Sequence, residues 1–282
     1  MEKPVLTNPY MNTIQVSVQD HIAYITLNRG SSNAINGEMV SELSDMFKNL
    51  EADDQVGGVI LTGKEGFFSA GLDLIELYTY NEEQIRQFWK DFLHMVSVLA
   101  GFKKPLISAI SGHSPAGGCV LAICSDYRIM AEGKFIIGLN EVPVGIIVPD
   151  SIFHLYAFWL GQGKAYQSLL EGKLFRAEEA LSIGLVDEVV APNVVLTTAQ
   201  RKMKQYVGLD WTTWQQTKQN LRAELLEKVR ADQNATLEVM LKQWWAPSTR
   251  SKKQSCSCVA LKGHSIFFRH WPARPAPRPQ PL

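Results

Sequence analysis

The sequence predicts an α/β fold of repeated β-β-α or β-α units, closed by a helical C-terminal subdomain. Three observations carry this. Short strand-like runs alternate with amphipathic helical ones, the pattern of layered α/β chains. The runs at 57–61 and 105–110 are almost wholly apolar, which suits a sheet covered on both faces. Residues 210–245 read mainly helical, without a strand-like run.

In chain order, residues 13–18 and 21–27 read as two strands around a Gln19-Asp20 turn. Residues 39–53 read as a helix, with Met39, Leu43, Met46, Phe47 and Leu50 on one face. A strand at 57–61 leads into a loop at 63–71. Residues 82–99 form a second helix, with Ile85, Phe88, Phe92, Val96 and Leu99 in phase. The strand at 105–110 runs into the turn Gly112-His113-Ser114-Pro115-Ala116-Gly117-Gly118-Cys119, and 120–124 continue as a buried helix. Residues 127–130 and 135–137 are strand-like. Further helical runs at 163–170 and 177–183 precede a strand at 186–190, and 210–245 are mainly helical.

This divides the chain into a core over 1–197, a helical subdomain over 198–250 and a tail over 251–282. The tail contains no Asp or Glu and ends Pro-rich, a composition expected to stay disordered. The helical pattern stops near Trp245, and Pro247 breaks it.

Composition narrows the function classes. The chain has 282 residues, 46% hydrophobic, with a formal net charge of zero, so neither nucleic acid nor an anionic membrane is an expected partner. No apolar run approaches the roughly 20 residues of a membrane-spanning helix. The N-terminal segment shows neither an apolar signal core nor an Arg/Ser-rich leader, and the last three residues are not Ser-Lys-Leu. Cysteines at 119, 124, 256 and 258 have no metal-binding spacing. A cytoplasmic protein without a metal is expected.

Three segments carry candidate chemistry. Phe67-Phe68-Ser69-Ala70-Gly71-Leu72-Asp73-Leu74 and Ser114-Pro115-Ala116-Gly117-Gly118-Cys119 each follow a strand and open toward a helix. Such turns point unpaired N–H groups outward, and small residues let a ligand approach the backbone. Two converging N–H groups make an oxyanion hole. Each segment is equally what a plain tight βα turn looks like. The third segment, Ile137 to Gly145, holds Glu141 among apolar residues, where burial raises a carboxylate's pKa and suits it to proton transfer. Read alone, Glu141 is also an ordinary surface or capping glutamate. No GxGxxG fingerprint is present, which disfavours a nicotinamide enzyme.

In this order and spacing, the segments resemble the enoyl-CoA hydratase/isomerase (crotonase) superfamily over about residues 13–200. The pattern is most similar to its Δ3,Δ2-enoyl-CoA isomerases. These share Ala70-Gly71-Leu72-Asp73-Leu74, Pro115-Ala116-Gly117-Gly118-Cys119 and Gly138-Leu139-Asn140-Glu141, followed by Gly145-Ile146-Ile147-Val148-Pro149. The resemblance implies a crotonase-like spiral, an acyl-CoA substrate with no separate cofactor, and a homotrimer built by the helical C-terminus. It implies Ala70 and Gly117 as oxyanion donors and Glu141 as the catalytic carboxylate. Ala70 to Leu74, with Gly117 and Gly118, would bind substrate.

Hydratases of the family carry a second Glu three residues after the oxyanion glycine. Here that position is Val120. Hydration divides two proton tasks between two carboxylates, whereas moving a double bond needs one. The expectation is therefore an isomerase of fatty-acid β-oxidation. Alternatives are another single-carboxylate acyl-CoA enzyme (hydratase-like, decarboxylase or thioesterase) and a non-catalytic CoA-binding oligomer.

Asp150 is expected to cap a helix, Asp73 to cap its loop or the next helix, His113 to bond backbone in its turn and Cys119 to pack. Lys103 and Lys104 are read as solvated loop lysines, with CoA phosphates as the alternative partner. Trp211, Trp214, Trp244 and Trp245 are read as packing residues.

Overall fold

The computed structural model describes residues 11–231 and 234–244. Strands β1 (Ile14–Gln19) and β2 (Ile22–Leu27) pair antiparallel across a turn in which Asp20 and His21 both take positive φ. Tight turns of that hand match the twist of the flanking strands. Helix α1 (Gly37–Ala52) follows, its first turn capped by Asn36, whose side chain accepts from the Met39 amide.

Three turns of a spiral come next. The first is β3 (Gly58–Thr62), β4 (Gly66–Phe67), α2 (Leu74–Leu77) and α3 (Glu82–Ala100). The second is β5 (Leu106–Ile110), β6 (Gly112–Pro115) and α4 (Gly117–Ile123). The third is β7 (Tyr127–Ala131), β8 (Ile136–Gly138), α5 (Asp150–Leu160) and α6 (Gln162–Glu171). Then β9 (Phe175–Arg176), α7 (Ala177–Ser182) and β10 (Glu188–Val190) lead to α8 (Val195–Val207), α9 (Trp211–Arg230) and α10 (Asn234–Trp244). Each turn lays one strand in each of two sheets, ordered β1-β2-β3-β5-β7-β10 and β4-β6-β8-β9. From β2 onward the larger sheet is parallel. The expected spiral of β-β-α units is the observed fold.

The apolar strands are covered on both sides. Helices α1 and α3 bury Met39, Leu43, Phe47, Ile85, Phe92 and Val96 in the main core. On the other face, Ala199 and Met203 of α8 join Ile60, Ile107 and Ile129 of the strands. Helix α8 is thus part of the sheet's cover, and the division drawn at 197/198 falls inside it.

Helix α9 is anchored by buried charge. Asp126 pairs with Lys218 at 2.7 Å and with Arg222 at 3.2 Å, while Arg222 also donates to the Ala100, Cys124 and Ser125 carbonyls. Helix α10 docks Trp244 against Trp89 of α3 and Tyr78. Gln243 donates to the Gly145 carbonyl. Trp214 meets Tyr206, and Trp211 is exposed. Trp245, Pro247 and the 251–282 tail lie outside the described residues. No described helix is long and apolar enough to cross a membrane.

Several local readings change. The 63–71 loop contains β4, and 112–115 are strand β6 rather than turn. These strands of two and four residues exist because β4, β6 and β8 pair in parallel, a long-range event with no local periodicity. His113 therefore sits in a strand, its ring between those of Phe67 and Phe135, each 5.2 Å away. Pro149, not Asp150, occupies the N-cap of α5, and Asp150 is the exposed first helical residue. Lys104 is buried rather than solvated: its Nζ donates to the Leu50 and Asp53 carbonyls. Lys103 pairs with Glu51 at 3.3 Å.

Candidate active site

Both signature turns follow the second-sheet strands, and both are positioned by backbone. Gly71 has φ +88°, open to glycine and strained for other residues. A Cβ built on Gly71 would lie 3.1 Å from the Gly117 nitrogen. One built on Gly117 would lie 3.3 Å from the Gly71 Cα and 3.1 Å from Ile35 Cδ1. The two turns therefore touch face to face, and side chains at either glycine would wedge them apart. Gly118 is tighter still, since its Cβ would come within 2.5 Å of the Ser69 carbonyl oxygen.

Ala116 takes φ 49° and ψ −122°, a conformation L-residues rarely adopt. Its amide donates to the Gly138 carbonyl at 2.8 Å, so the β6–β8 ladder holds the strained residue in place. Gly117 is the first residue of α4, where an N–H has no partner within the helix. Among the described residues, no acceptor for it is found.

Ala70 differs from the expectation of two free donors. Its N–H donates to the Ser32 carbonyl at 2.8 Å. The loop that carries Ser32 is tied to the same turn: Ser69 Oγ donates to the Asn33 carbonyl at 2.7 Å, and Asn33 Nδ2 donates to the Phe68 carbonyl at 3.1 Å. No sequence signal reports this, because the acceptor is a main-chain oxygen.

Asp73 serves the scaffold. It caps α2 by accepting from the Glu76 amide, and it pairs with Arg29 at 2.8 Å. Arg29 also reaches Glu76 at 2.7 Å, and Glu76 accepts from Asn36 and Tyr80. This network clamps the segment from Gly71 to Leu74 against the start of α1. Leu72 and Leu74 are half-buried against the core.

Glu141 stands three residues past β8, in a turn whose Glu141 carbonyl accepts from the Val144 and Ile146 amides. Pairing of β8 with β6 sets that turn beside Ala116 and α4. The residue is 8% exposed, and its Oε2 has no hydrogen-bond partner among the described residues. Burial pushes its pKa up from 4.5 to about 7, offset in part by its own backbone amide. Val120, in the first turn of α4, is 1% exposed and apolar. Burial, and after it the Glu141 carboxylate, raise the pKa of Cys119, which packs as a neutral thiol. Burial also lowers the pKa of His113, so its ring is uncharged at neutral pH.

Tyr156 is a neighbour that the sequence reading passed over. It is fully buried on α5, its hydroxyl without a hydrogen-bond partner among the described residues. The only local signal was a tyrosine on the buried stripe Ile152, Leu155, Tyr156, where an O–H requires an acceptor.

A spiral of this topology, with two small-residue turns meeting beside a buried carboxylate, defines a crotonase-fold protein. The enoyl-CoA hydratase/isomerase family profile matches residues 17–258, and the chain belongs to that family of enzymes. It is 36% identical over 219 residues to mouse mitochondrial enoyl-CoA delta isomerase 1, covering 77% of this chain and 76% of the relative. A probable enoyl-CoA hydratase of Rhizobium meliloti (strain 1021) is 35% identical over 189 residues, 66% of this chain and 72% of the relative. Among solved structures, human mitochondrial delta3-delta2-enoyl-CoA isomerase superposes with a TM-score of 0.85 at 30% identity. It covers 89% of this chain and 100% of its own.

Proposed function

We propose that the chain is a Δ3,Δ2-enoyl-CoA isomerase that moves the double bond of a 3-enoyl-CoA to the trans-2 position. The observation that carries this is one buried carboxylate, Glu141, with its pKa raised to about 7, while the position three residues after Gly117 is the buried, apolar Val120. The similarity to named delta isomerases supports it.

In the proposed reaction, the thioester oxygen accepts from the Gly117 N–H and from the Ala70 N–H, which then leaves Ser32. Ionised Glu141 removes a proton from C2. Electrons move onto the thioester oxygen, giving a dienolate that the two N–H groups stabilise. The protonated Glu141 returns the same proton to C4, the double bond settles between C2 and C3, and the carboxylate is regenerated. A pKa near 7 suits this task, because the group must both take and give the proton at neutral pH. CoA belongs to the substrate, and no separate cofactor enters.

A hydratase is the second reading, favoured by the similarity to probable enoyl-CoA hydratases. It lacks a second carboxylate at Val120. The deciding experiment follows conversion of a 3-enoyl-CoA by the purified protein and by Glu141→Gln. We expect Glu141→Gln to lose at least about 100-fold in kcat, the scale of general-base catalysis. Full turnover by that variant would sink the assignment.

The proposal includes a homotrimer, consistent with the exposed Phe158, Leu209 and Leu221, and a cytoplasmic location. Light scattering showing only monomer, or fractionation placing the protein with mitochondria as the names of its mammalian relatives would suggest, overturns these parts separately.

A further inference from the structure

Two complementary polar atoms of the third spiral turn are buried without hydrogen-bond partners among the described residues. One is Glu141 Oε2, an acceptor, and the other is the Tyr156 hydroxyl, a donor. They come from different parts of the third spiral turn: Glu141 follows β8, and Tyr156 lies in the second turn of α5. Tyr156 feels the Glu141 carboxylate, the Cys119 thiol and the Leu139 backbone amide, and Cys119 also feels Glu141.

A buried donor with no acceptor is costly, and so is a buried charged acceptor with no donor. Here the two defects lie within electrostatic reach of one another. One hydrogen bond would remove both once the carboxylate ionises.

We propose that Tyr156 is a positioning residue for Glu141: its hydroxyl donates to the ionised Oε2 and fixes the direction in which the other oxygen, Oε1, faces substrate. This rests on the reading of Glu141 as the proton shuttle. The proton transfers themselves stay with Glu141. Tyr156 keeps its own proton throughout, because burial, Cys119 and Glu141 all push its pKa upward. Cys119 is likewise held protonated, so both titratable groups that feel Glu141, on α4 and α5, are neutral. A shuttle that swings between C2 and C4 gains from a fixed pivot. The bond to Oε2 supplies one without occupying Oε1.

The sign of the effect is set by chemistry. A donor to the charged form favours ionisation, so removing it raises the pKa of Glu141. The test is Tyr156→Phe, which deletes only a buried hydroxyl that has no hydrogen-bond partner among the described residues, so the variant is expected to fold. We expect kcat for the 3-enoyl-CoA to fall about tenfold with KM within about twofold, the size of one hydrogen bond to a charged group. The acid limb of the kcat–pH profile should move up by about one unit.

A second readout needs no turnover. The carboxyl stretching band of protonated Glu141, assigned by its absence in Glu141→Gln, is titrated by infrared difference spectroscopy. Its midpoint in Tyr156→Phe should rise by the same amount. An unmoved midpoint, or a lower kcat with an unmoved acid limb, overturns the role of Tyr156 and leaves the isomerase reading intact. Full turnover by Glu141→Gln overturns the isomerase reading, while the infrared midpoint still decides whether Tyr156 holds the carboxylate.

Discussion

The carbonyl oxygen of Ser32 accepts the N–H of Ala70 at 2.8 Å. The amide that would hold a thioester oxygen is thus engaged by the chain itself. A bound substrate has to displace Ser32 to use it, exchanging one hydrogen bond for another at small net cost. In a crystal structure with a non-reactive acyl-CoA analogue, the Ser32–Ala70 separation should exceed about 3.5 Å, beyond hydrogen-bond range. A retained Ser32 bond with the analogue seated would remove Ala70 from the oxyanion hole and leave Gly117 as its donor.

The contact between Gly71 and Gly117 makes a second prediction. Gly117→Ala places a methyl 3.1 Å from Ile35 Cδ1 and 3.3 Å from the Gly71 Cα. We expect a stability loss of about 1–3 kcal/mol from overpacking, measured by urea unfolding. The loss in kcat should reach roughly 100-fold, the scale of one displaced oxyanion donor. Unchanged kcat in a folded variant would mean the Gly117 amide does not touch the reacting oxygen.

Glu141 should weaken the fold it serves. Its folded pKa of about 7 lies above the ordinary 4.5. Between those values the native state holds a proton that the unfolded chain has released, so stability falls as pH rises through this window. Glu141→Gln removes the effect. The variant should be more stable than wild type by up to about 3 kcal/mol at pH 8 and nearly equal to it at pH 4. Urea unfolding across that range checks both ends.

Asp126 neutralises two cations buried under α9. Its side chain is 11% exposed, against 8% for Lys218 and 6% for Arg222. Asp126→Asn strands both charges and should cost about 3–5 kcal/mol. Lys218→Met should cost less, because burial already lowers the Lys218 pKa to about 8, chiefly by desolvation. Above pH 8 the native lysine sheds its proton before the unfolded one does, so stability from this group rises with pH up to about 10.5. That slope should vanish in Lys218→Met.

Val120 separates the isomerase from the hydratase reading. Val120→Glu restores a carboxylate at a buried position, destabilising the fold by leaving a charge without a partner. If the absent carboxylate is what bars hydration, the folded variant should hydrate a trans-2-enoyl-CoA measurably faster than wild type. Equal rates would remove Val120 from the argument.

Much of the fold is legible in the sequence. Helix α3 is expected at 82–99 and is observed as Glu82–Ala100, because its buried stripe is a local signal. The strands of the larger sheet fall within one or two residues of their expected places, since apolar alternation in β1 and apolar runs in β3 and β5 mark them locally. The short strands β4 and β6 were missed. Two or four residues carry no period, and their pairing depends on chain more than 40 residues away.

The same divide runs through the site. The sequence by itself determined the two small-residue turns and a glutamate in an apolar stretch, because residue type and spacing state these directly, while the missing second carboxylate is read from the family resemblance. Only the tertiary structure decided that Gly71 and Gly117 meet, that Ser32 engages Ala70, and that Tyr156 stands unpartnered near Glu141. Each of these is a relation across space between backbone groups or distant helices. No local pattern of side chains encodes where such groups arrive.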